Sequence, residues 1–242
     1  MLNYMRGEIY RLLHKKSLYL FFGALALGYA LVAFVRSGSF GEDSLLGDAA
    51  NFFGYLPALA GGFLFAAVYT DDLSAKSLAT LVGFGMGKVK IVLSKLLLMA
   101  LSGAVIFGLA PLFHCGVYAA LGWPPGGGAW AMLYALALQA LLATLGYAAL
   151  AGVMVYGLQR ATFAFVLYIL LAFGIVGGLL ATVLKMFLPN VSEHLLSGIT
   201  LRIFAGVTGG GSPALPAMEY AIYIAGAAAL SAIAFHKKEM EF

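Results

Sequence analysis

The sequence predicts an all-α integral membrane protein with six transmembrane helices. Hydrophobic residues make up 63% of its 242 residues and charged residues only 10%, whereas soluble domains have about 45–50% and about 25%. The charges lie in short segments between long apolar runs, as in helical membrane proteins. A soluble fold could not bury this much apolar surface, so we expect one membrane domain over the whole chain.

Six apolar runs are long enough to cross the roughly 30 Å hydrocarbon layer as helices. The first, residues 17–35, exceeds the about 7–15 residues of a signal-peptide core and precedes no A-x-A-like cleavage site, so we expect an uncleaved span. The third contains Pro111, which predicts a kink, and the fourth is long enough to predict a tilt. The other five predicted spans are residues 51–70, 96–121, 129–158, 161–184 and 218–235.

The distribution of lysine and arginine predicts that both termini are cytoplasmic. With the N-terminus inside, 11 of the 14 basic residues are cytoplasmic, and the opposite orientation would violate the positive-inside rule. The three predicted external ones are Arg36, Lys185 and Arg202. The net charge of +4 is thereby explained by topology, and no nucleic-acid partner is predicted.

The connections between the predicted spans are uneven. Residues 122–128, GWPPGGG, predict a tight external turn, and the two residues Gln159 and Arg160 predict an antiparallel hairpin of spans four and five. The long connections are a cytoplasmic loop, 71–95, and an external segment, 185–217. Within the latter, residues 191–204 predict a surface or re-entrant helix. Two roles are compatible with such a helix: a gate for the exit of substrate and an inert cap.

Residues 1–16 predict an amphipathic interfacial helix. Leu2, Met5, Ile9, Leu12 and Leu13 recur at helical spacing, which places an apolar face against the membrane. A basic flank that only sets topology is the alternative. The basic residues expected to meet anionic lipid are Arg6, Arg11, Lys15 and Lys16.

The cytoplasmic loop predicts a short helix that a cytoplasmic partner could grip. Residues 73–82 have helical spacing, and the glycines at 83, 85 and 87 end the segment. A solvated connector is the alternative. A phosphate-binding loop is excluded because Val82 occupies its first glycine position and Val89 follows Lys88. The chain itself is therefore not expected to bind ATP.

This loop resembles that of ABC type-2 (ABC-2) exporter permeases, the membrane subunits of ATP-driven exporters. The matching positions are Asp72, Lys76-Ser77, Lys88 and Ser94-Lys95, with Lys76 where glycine is usual and Lys88 where arginine is common. The basic N-terminal helix, six spans and long last external connection extend the resemblance over nearly the whole chain. Its size is similar to that of permeases that confer immunity to lantibiotics and other antimicrobial peptides.

The resemblance implies a function and partners. The function is export of an amphipathic or hydrophobic substrate, such as an antimicrobial peptide or a lipid-like molecule, across the bacterial cytoplasmic membrane. The partners are a cytosolic ABC ATPase, in two copies, that holds ATP and Mg, and a second permease copy or a related permease. The N-terminal helix and the loop would contact the ATPase. The coupling residues are Asp71, Asp72, Lys76, Ser77, Lys88, Lys90 and Lys95.

No catalytic, cofactor or metal site is predicted in this chain. Cys115 is the lone cysteine, so an intrachain disulfide and a multi-cysteine metal site are excluded. The spans contain no acidic pair of the kind that ion-coupled carriers use and no nucleophile with an organised base. We expect His114 to be hydrogen-bonded between helices. An ATP-independent carrier or channel, and a non-transporting assembly or sensory partner, remain as alternatives.

Small residues and aromatic residues mark two further features of the spans. Ala24-xxx-Gly28, Ala58-xxx-Gly62 and Gly174-xxx-Gly178 predict close helix approach. Phe52, Phe53 and Tyr55 would line an apolar substrate path or serve as interfacial aromatics. The second span is expected to bend at its small residues and proline, which are Gly54, Pro57, Gly61 and Gly62.

Overall fold

The computed structural model describes residues 2–39, 44–71, 77–187, 191–209 and 211–237, and these residues are arranged in helices joined by short connections. Turns of 3₁₀ helix occur at Ser37–Ser39 and Val191–His194. The α-helices are α1 (Leu2–Leu13), α2 (Lys16–Arg36), α3 (Ser44–Thr70), α4 (Ser77–Gly83), α5 (Lys88–Ala120), α6 (Ala129–Leu158), α7 (Ala161–Ala172), α8 (Ile175–Phe187), α9 (Leu196–Thr208) and α10 (Ala214–Lys237).

Five of these helices, α2, α3, α5, α6 and α10, are each long and apolar enough to span a membrane. The predicted fifth span is not one straight helix, because α7 and α8 meet at an angle of 64°. Gly174 lies at the break with a φ of 73°, a conformation that glycine adopts without steric cost. Counting this bent pair as one span gives six, so the all-helical, multi-span prediction is confirmed as five to six.

Two spans are longer than their apolar runs predicted. α3 begins at Ser44 rather than residue 51, and α5 begins at Lys88 rather than residue 96. Both extensions contain charged residues, Asp48 and Lys95, whose side chains pair with other helices. The α5 helix is continuous through Pro111.

The Ala-rich helix α6 lies at the centre of the bundle, between α3, α5, α7, α9 and α10. Its small side chains are buried along much of its length, which lets the neighbouring helices approach closely. By contrast, α2 is peripheral, and Ala33 is its one buried residue among those described.

Only one of the three predicted small-residue motifs packs as expected. A methyl group at Gly62 would lie 3.0 Å from the Ile169 side chain of α7, and one at the adjacent Gly61 would overlap Tyr168 and Thr144. Methyl groups at Gly28 and Gly178 would meet nothing within 4 Å, so the motifs in α2 and α8 do not form close contacts here.

The second span, for which the sequence predicts a bend, contains two wide turns in α3. The segments Pro57–Gly61 and Ala66–Thr70 are π-helical. This local form is rare in proteins overall, and where it occurs it is often near a functional site. Side chains from other helices reach their carbonyls: the Tyr168 hydroxyl donates to Pro57 O at 2.8 Å, and Arg11 donates to Ala67 O at 3.2 Å. Both wide turns are therefore bound from outside α3.

Candidate functional site

A buried ion pair connects α1 to α5. Lys95 Nζ lies 2.9 Å from Glu8 Oε2, and the two side chains are 1% and 13% exposed. The Lys95 ammonium also lies 5.4 Å from the centre of the Tyr4 ring. A buried charge is costly unless it is paired, so this contact fixes the position of α1 on the bundle.

Three more charged residues extend this pair towards the end of α3. Arg11 Nη2 donates to Glu8 Oε2 at 2.7 Å, and Arg11 Nη1 lies 3.7 Å from Asp71 Oδ2. Lys15 forms an ion pair with Asp71 as well. Glu8, Arg11, Lys15, Asp71 and Lys95, hereafter the α1 cluster, thus alternate basic and acidic side chains across α1, α3 and α5.

The helical spacing of α1 places the Glu8 carboxylate inside the bundle. Met5, Glu8 and Leu12 are three and four residues apart, which puts them on one stripe of the helix. Met5 and Leu12 are both buried. The sequence analysis does not single out Glu8, and its position in this stripe is the signal that could have found it.

The charges around Glu8 favour its ionised form. Burial opposes ionisation and alone would raise the pKa of Glu8, but the nearby Lys95 ammonium and the Arg11 guanidinium outweigh burial. The pKa of Glu8 is therefore lowered below its ordinary value of 4.5. The Glu8 carboxylate is ionised at neutral pH and can hold both basic partners.

Two of the basic residues expected to meet lipid headgroups also belong to the α1 cluster. Arg11 and Lys15 pair with the protein carboxylates of Glu8 and Asp71. Arg6 remains exposed, as does Lys16 at the start of α2.

Both ends of the predicted coupling loop belong to the α1 cluster. Asp71 and Lys95 are its first and last residues, and both pair with side chains of α1 or its flank. Lys88 Nζ donates to the backbone carbonyl of His236 at 3.3 Å, which adds α10 to the connections, while Lys90 is exposed. Asp72 and Lys76 lie outside the described residues, as does the side chain of Ser77 at the start of α4.

The loop contains an exposed aromatic side chain, that of Phe84. Leu78 of α4 is buried in the core cluster next to α5, which fixes the helix. Phe84 follows α4 and is 86% exposed, and the next residue, Gly85, has a φ of 80°. The tight turn therefore projects Phe84 at the end of the bundle that the sequence predicts to be cytoplasmic.

The other end of the bundle contains a second polar network. Arg36 of α2 pairs with Asp48 of α3 at 2.6 Å, and Asp48 also accepts the Tyr118 hydroxyl. His114 Nε2 lies 3.0 Å from the backbone carbonyl of Leu45, and Nδ1 lies 2.6 Å from the Tyr29 hydroxyl. Since a carbonyl only accepts, Nε2 donates, and in the neutral imidazole Nδ1 accepts from the Tyr29 hydroxyl. His114 is hydrogen-bonded between helices as predicted.

The three aromatic residues predicted to line one path border two separate spaces. Phe52 and Tyr55 line a groove of about 390 Å³ between α2 and α3. Phe53 is buried with its ring 5.4 Å from that of Phe52, and it lines a separate cavity of about 260 Å³ whose wall also includes Gln139 and Thr200.

The predicted external helix is packed against the bundle rather than lying loose on its surface. Leu196 of α9 is buried, and it sits so close to Gly146 of α6 that a methyl group there would overlap it. Arg202 of α9 forms an ion pair with Glu219 of α10. α9 therefore occupies the space between α6 and α10.

These features make the chain a multi-pass helical membrane protein. No protein-family model, curated protein or solved structure matches its sequence or fold. Within the described ranges, no three histidine, cysteine, aspartate or glutamate side chains lie close enough together to hold a metal ion. Any narrower function is inferred from the residues of the chain itself.

Proposed function

We propose that this protein is the membrane-spanning permease subunit of an ATP-binding-cassette exporter. In this proposal it transports an amphipathic or hydrophobic substrate, pairs with a second permease subunit and performs no catalysis. A separate cytosolic ATPase binds ATP and Mg and supplies the energy. The observation that carries the proposal is the attachment of both ends of the loop 71–95 to α1 through the α1 cluster.

This attachment suits the transmission of force from a partner. Asp71 directly follows the last π-helical turn of α3, and Lys95 lies in the second turn of α5. Because both residues are bound to α1 or its flank, a push on the loop or on α1 reaches both spans together. The π-helical turns lie in α3, one of the two spans that such a push would reach, and this local form occurs frequently at functional sites.

Phe84 supplies a contact point for the ATPase. Aromatic residues are enriched in protein interfaces, and a rigid aromatic side chain loses little conformational entropy when it is buried there. In the proposed complex Phe84 enters an apolar pocket of the ATPase, while Lys88 remains attached to α10.

Reconstitution tests the proposal. The chain is co-expressed with the cytosolic ATPases of its own genome, purified and placed in vesicles, and movement of a fluorescent short-chain phospholipid analogue is followed. We expect transport only with a bound ATPase and hydrolysable ATP. Transport that continues without any ATPase, or with the ATPase removed, would overturn the proposal and favour an ATP-independent carrier.

A pair of variants makes this test specific for the loop. Phe84→Ala removes the proposed contact and should abolish binding of the ATPase, whereas Val89→Ala, at another exposed apolar side chain of the same end, should preserve it. Equal binding by Phe84→Ala and the unaltered chain would exclude Phe84 from the interface.

A further inference from the structure

We propose that the groove between α2 and α3 binds one acyl chain of a phospholipid, with the phosphate of the lipid against Arg36. The site is independent of the proposed ATPase partner, since its argument rests only on the shape and charge of the groove. Phe52 and Tyr55 contribute to its wall.

The length of the groove fits one leaflet of a bilayer. Its lining extends along α2 from Ala24 to Arg36 and along α3 from Asp48 to Leu59. At 1.5 Å per helical residue these segments are about 17–18 Å long, close to half of the roughly 30 Å hydrocarbon layer. A cavity of about 390 Å³ with this length is narrow, and an extended single chain fits it.

The groove is open sideways, so a chain can enter from the bilayer. Its space exists because Ala24 and Gly28 of α2 have small side chains, and a methyl group added at Gly28 would meet nothing within 4 Å. The rim residues Val32, Tyr55 and Leu59 are exposed. These lining side chains are apolar apart from the Tyr55 hydroxyl, as an acyl chain requires.

One end of the groove is charged and the remainder is apolar, which is the polarity of a phospholipid. Arg36 is 54% exposed while paired with Asp48, whose side chain is only 13% exposed. The accessible charge at this end is therefore that of the guanidinium, which matches the geometry of phosphate. The neighbouring Asn51 adds an exposed amide to the same end.

Photolabelling tests the site in the full-length protein. The protein is reconstituted in vesicles of a phosphate-free galactolipid that contain a small fraction of phosphatidylcholine with a diazirine on its acyl chain, and the adducts are mapped by mass spectrometry. We expect adducts concentrated on the groove and displaced by unlabelled phosphatidylcholine, but not by diacylglycerol, which lacks the phosphate. Adducts that are spread uniformly over all exposed faces of α2 and are not displaced by phosphatidylcholine would indicate contact with bulk lipid only. That result would overturn the proposal.

Two glycines of α2 provide matched variants. Gly28→Leu fills the groove and should reduce labelling there roughly tenfold, whereas Gly23→Leu, where an added side chain also meets open space, should not. Leu59→Trp fills the groove from α3 and replaces Gly28→Leu if that variant fails to fold. Equal labelling in the filled variants and the Gly23→Leu control would contradict the proposed site.

Replacement of Arg36 tests the phosphate contact separately. Arg36→Gln keeps a polar side chain but removes the charge, so the affinity for phosphatidylcholine should fall roughly tenfold, the size expected for a charge-assisted contact. Unchanged competition by phosphatidylcholine in Arg36→Gln would overturn the assignment of the phosphate to this residue.

Discussion

Lys95 and Glu8 form an ion pair although 87 residues separate them in the chain. The contact is short, and Lys95 is almost completely buried. It joins α1 to the first turns of α5, and the Arg11 and Lys15 contacts then continue to the end of α3. The stability of this part of the protein should consequently depend on Glu8 more than on any exposed charge of α1.

The first prediction concerns the loss of either partner of this pair. Glu8→Gln leaves the buried Lys95 without this carboxylate and should destabilise the protein by about 3–5 kcal/mol. Lys95→Met should cost less, because Glu8 retains Arg11 at 2.7 Å. Thermal unfolding in detergent measures both. Arg6→Gln, at an exposed position of α1, is the control and should change stability by less than about 0.5 kcal/mol; a Glu8→Gln cost this small would contradict the prediction.

The second prediction is the pH dependence that Glu8 confers. Because the pKa of Glu8 is lowered on folding, its pairing stabilises the protein above the ordinary pKa of 4.5, and this stabilisation is lost as the pH falls through the lowered pKa. The difference in unfolding temperature between the unaltered chain and Glu8→Gln should therefore shrink on acidification from about pH 7 to about pH 3. A difference that is constant over this range would exclude an ionised Glu8 as its source.

The third prediction tests the close contact between α3 and α7. Gly61→Ala would place a methyl group against Tyr168 and Thr144 and should cost about 1–3 kcal/mol. Gly54→Ala lies in the same helix with open space around it and should be neutral or stabilising. Tyr168→Phe removes one of the opposing atoms, so the double variant should be less destabilised than the sum of the two single variants.

Strict additivity of Gly61→Ala and Tyr168→Phe would argue against this contact. Tyr168→Phe alone should cost about 1–3 kcal/mol, because it also removes the hydrogen bond to the Pro57 carbonyl.

The fourth prediction concerns the attachment of α9 to α6. Gly146→Ala adds a methyl group that overlaps Leu196 and lies 2.9 Å from the Tyr220 hydroxyl, so α9 must move outward. A cysteine introduced at the buried Thr200 of α9 should then react faster with a maleimide. Gly152→Ala is the control, since its nearest neighbour lies at an ordinary 3.6 Å. Equal reaction rates in the two variants would show that α9 is not held by this contact.

The spans and the hairpin between α6 and α7 could be predicted because they depend on hydropathy or on residues close in sequence. The bonded state of His114 could be predicted because a buried polar side chain needs a hydrogen-bond partner, although its partners Tyr29 and Leu45 lie far away in the chain. The break at Gly174 could not. It lies inside a continuous apolar run, and its cause is the left-handed backbone of one glycine, which hydropathy does not reveal.

The candidate site could be predicted only in part. The sequence predicts that Asp71 and Lys95 are the first and last residues of a loop between two spans, but their partners lie more than 50 residues away, in α1 and its flank. Glu8 lies between Met5 and Leu12 on the buried stripe of α1, but this position does not reveal that Lys95 is its partner. Which charges pair over a long range depends on the tertiary structure. The helical spacing of α1 therefore indicates that a charge on its apolar stripe is paired, but it does not identify the partner.

The ion pairs at the two ends of α3 also relate the protein to the thickness of its membrane. Asp48 pairs with Arg36 and Asp71 with Lys15, and the two carboxylates are 71 − 48 = 23 residues apart, about 35 Å along a helix. Charged pairs are most stable at headgroup depth, so a much thinner bilayer would suffer hydrophobic mismatch and force the bundle to tilt. The distance between the two ion pairs should therefore set the hydrophobic thickness that α2 and α3 match best. The tilt angle of the bundle should consequently depend on lipid chain length.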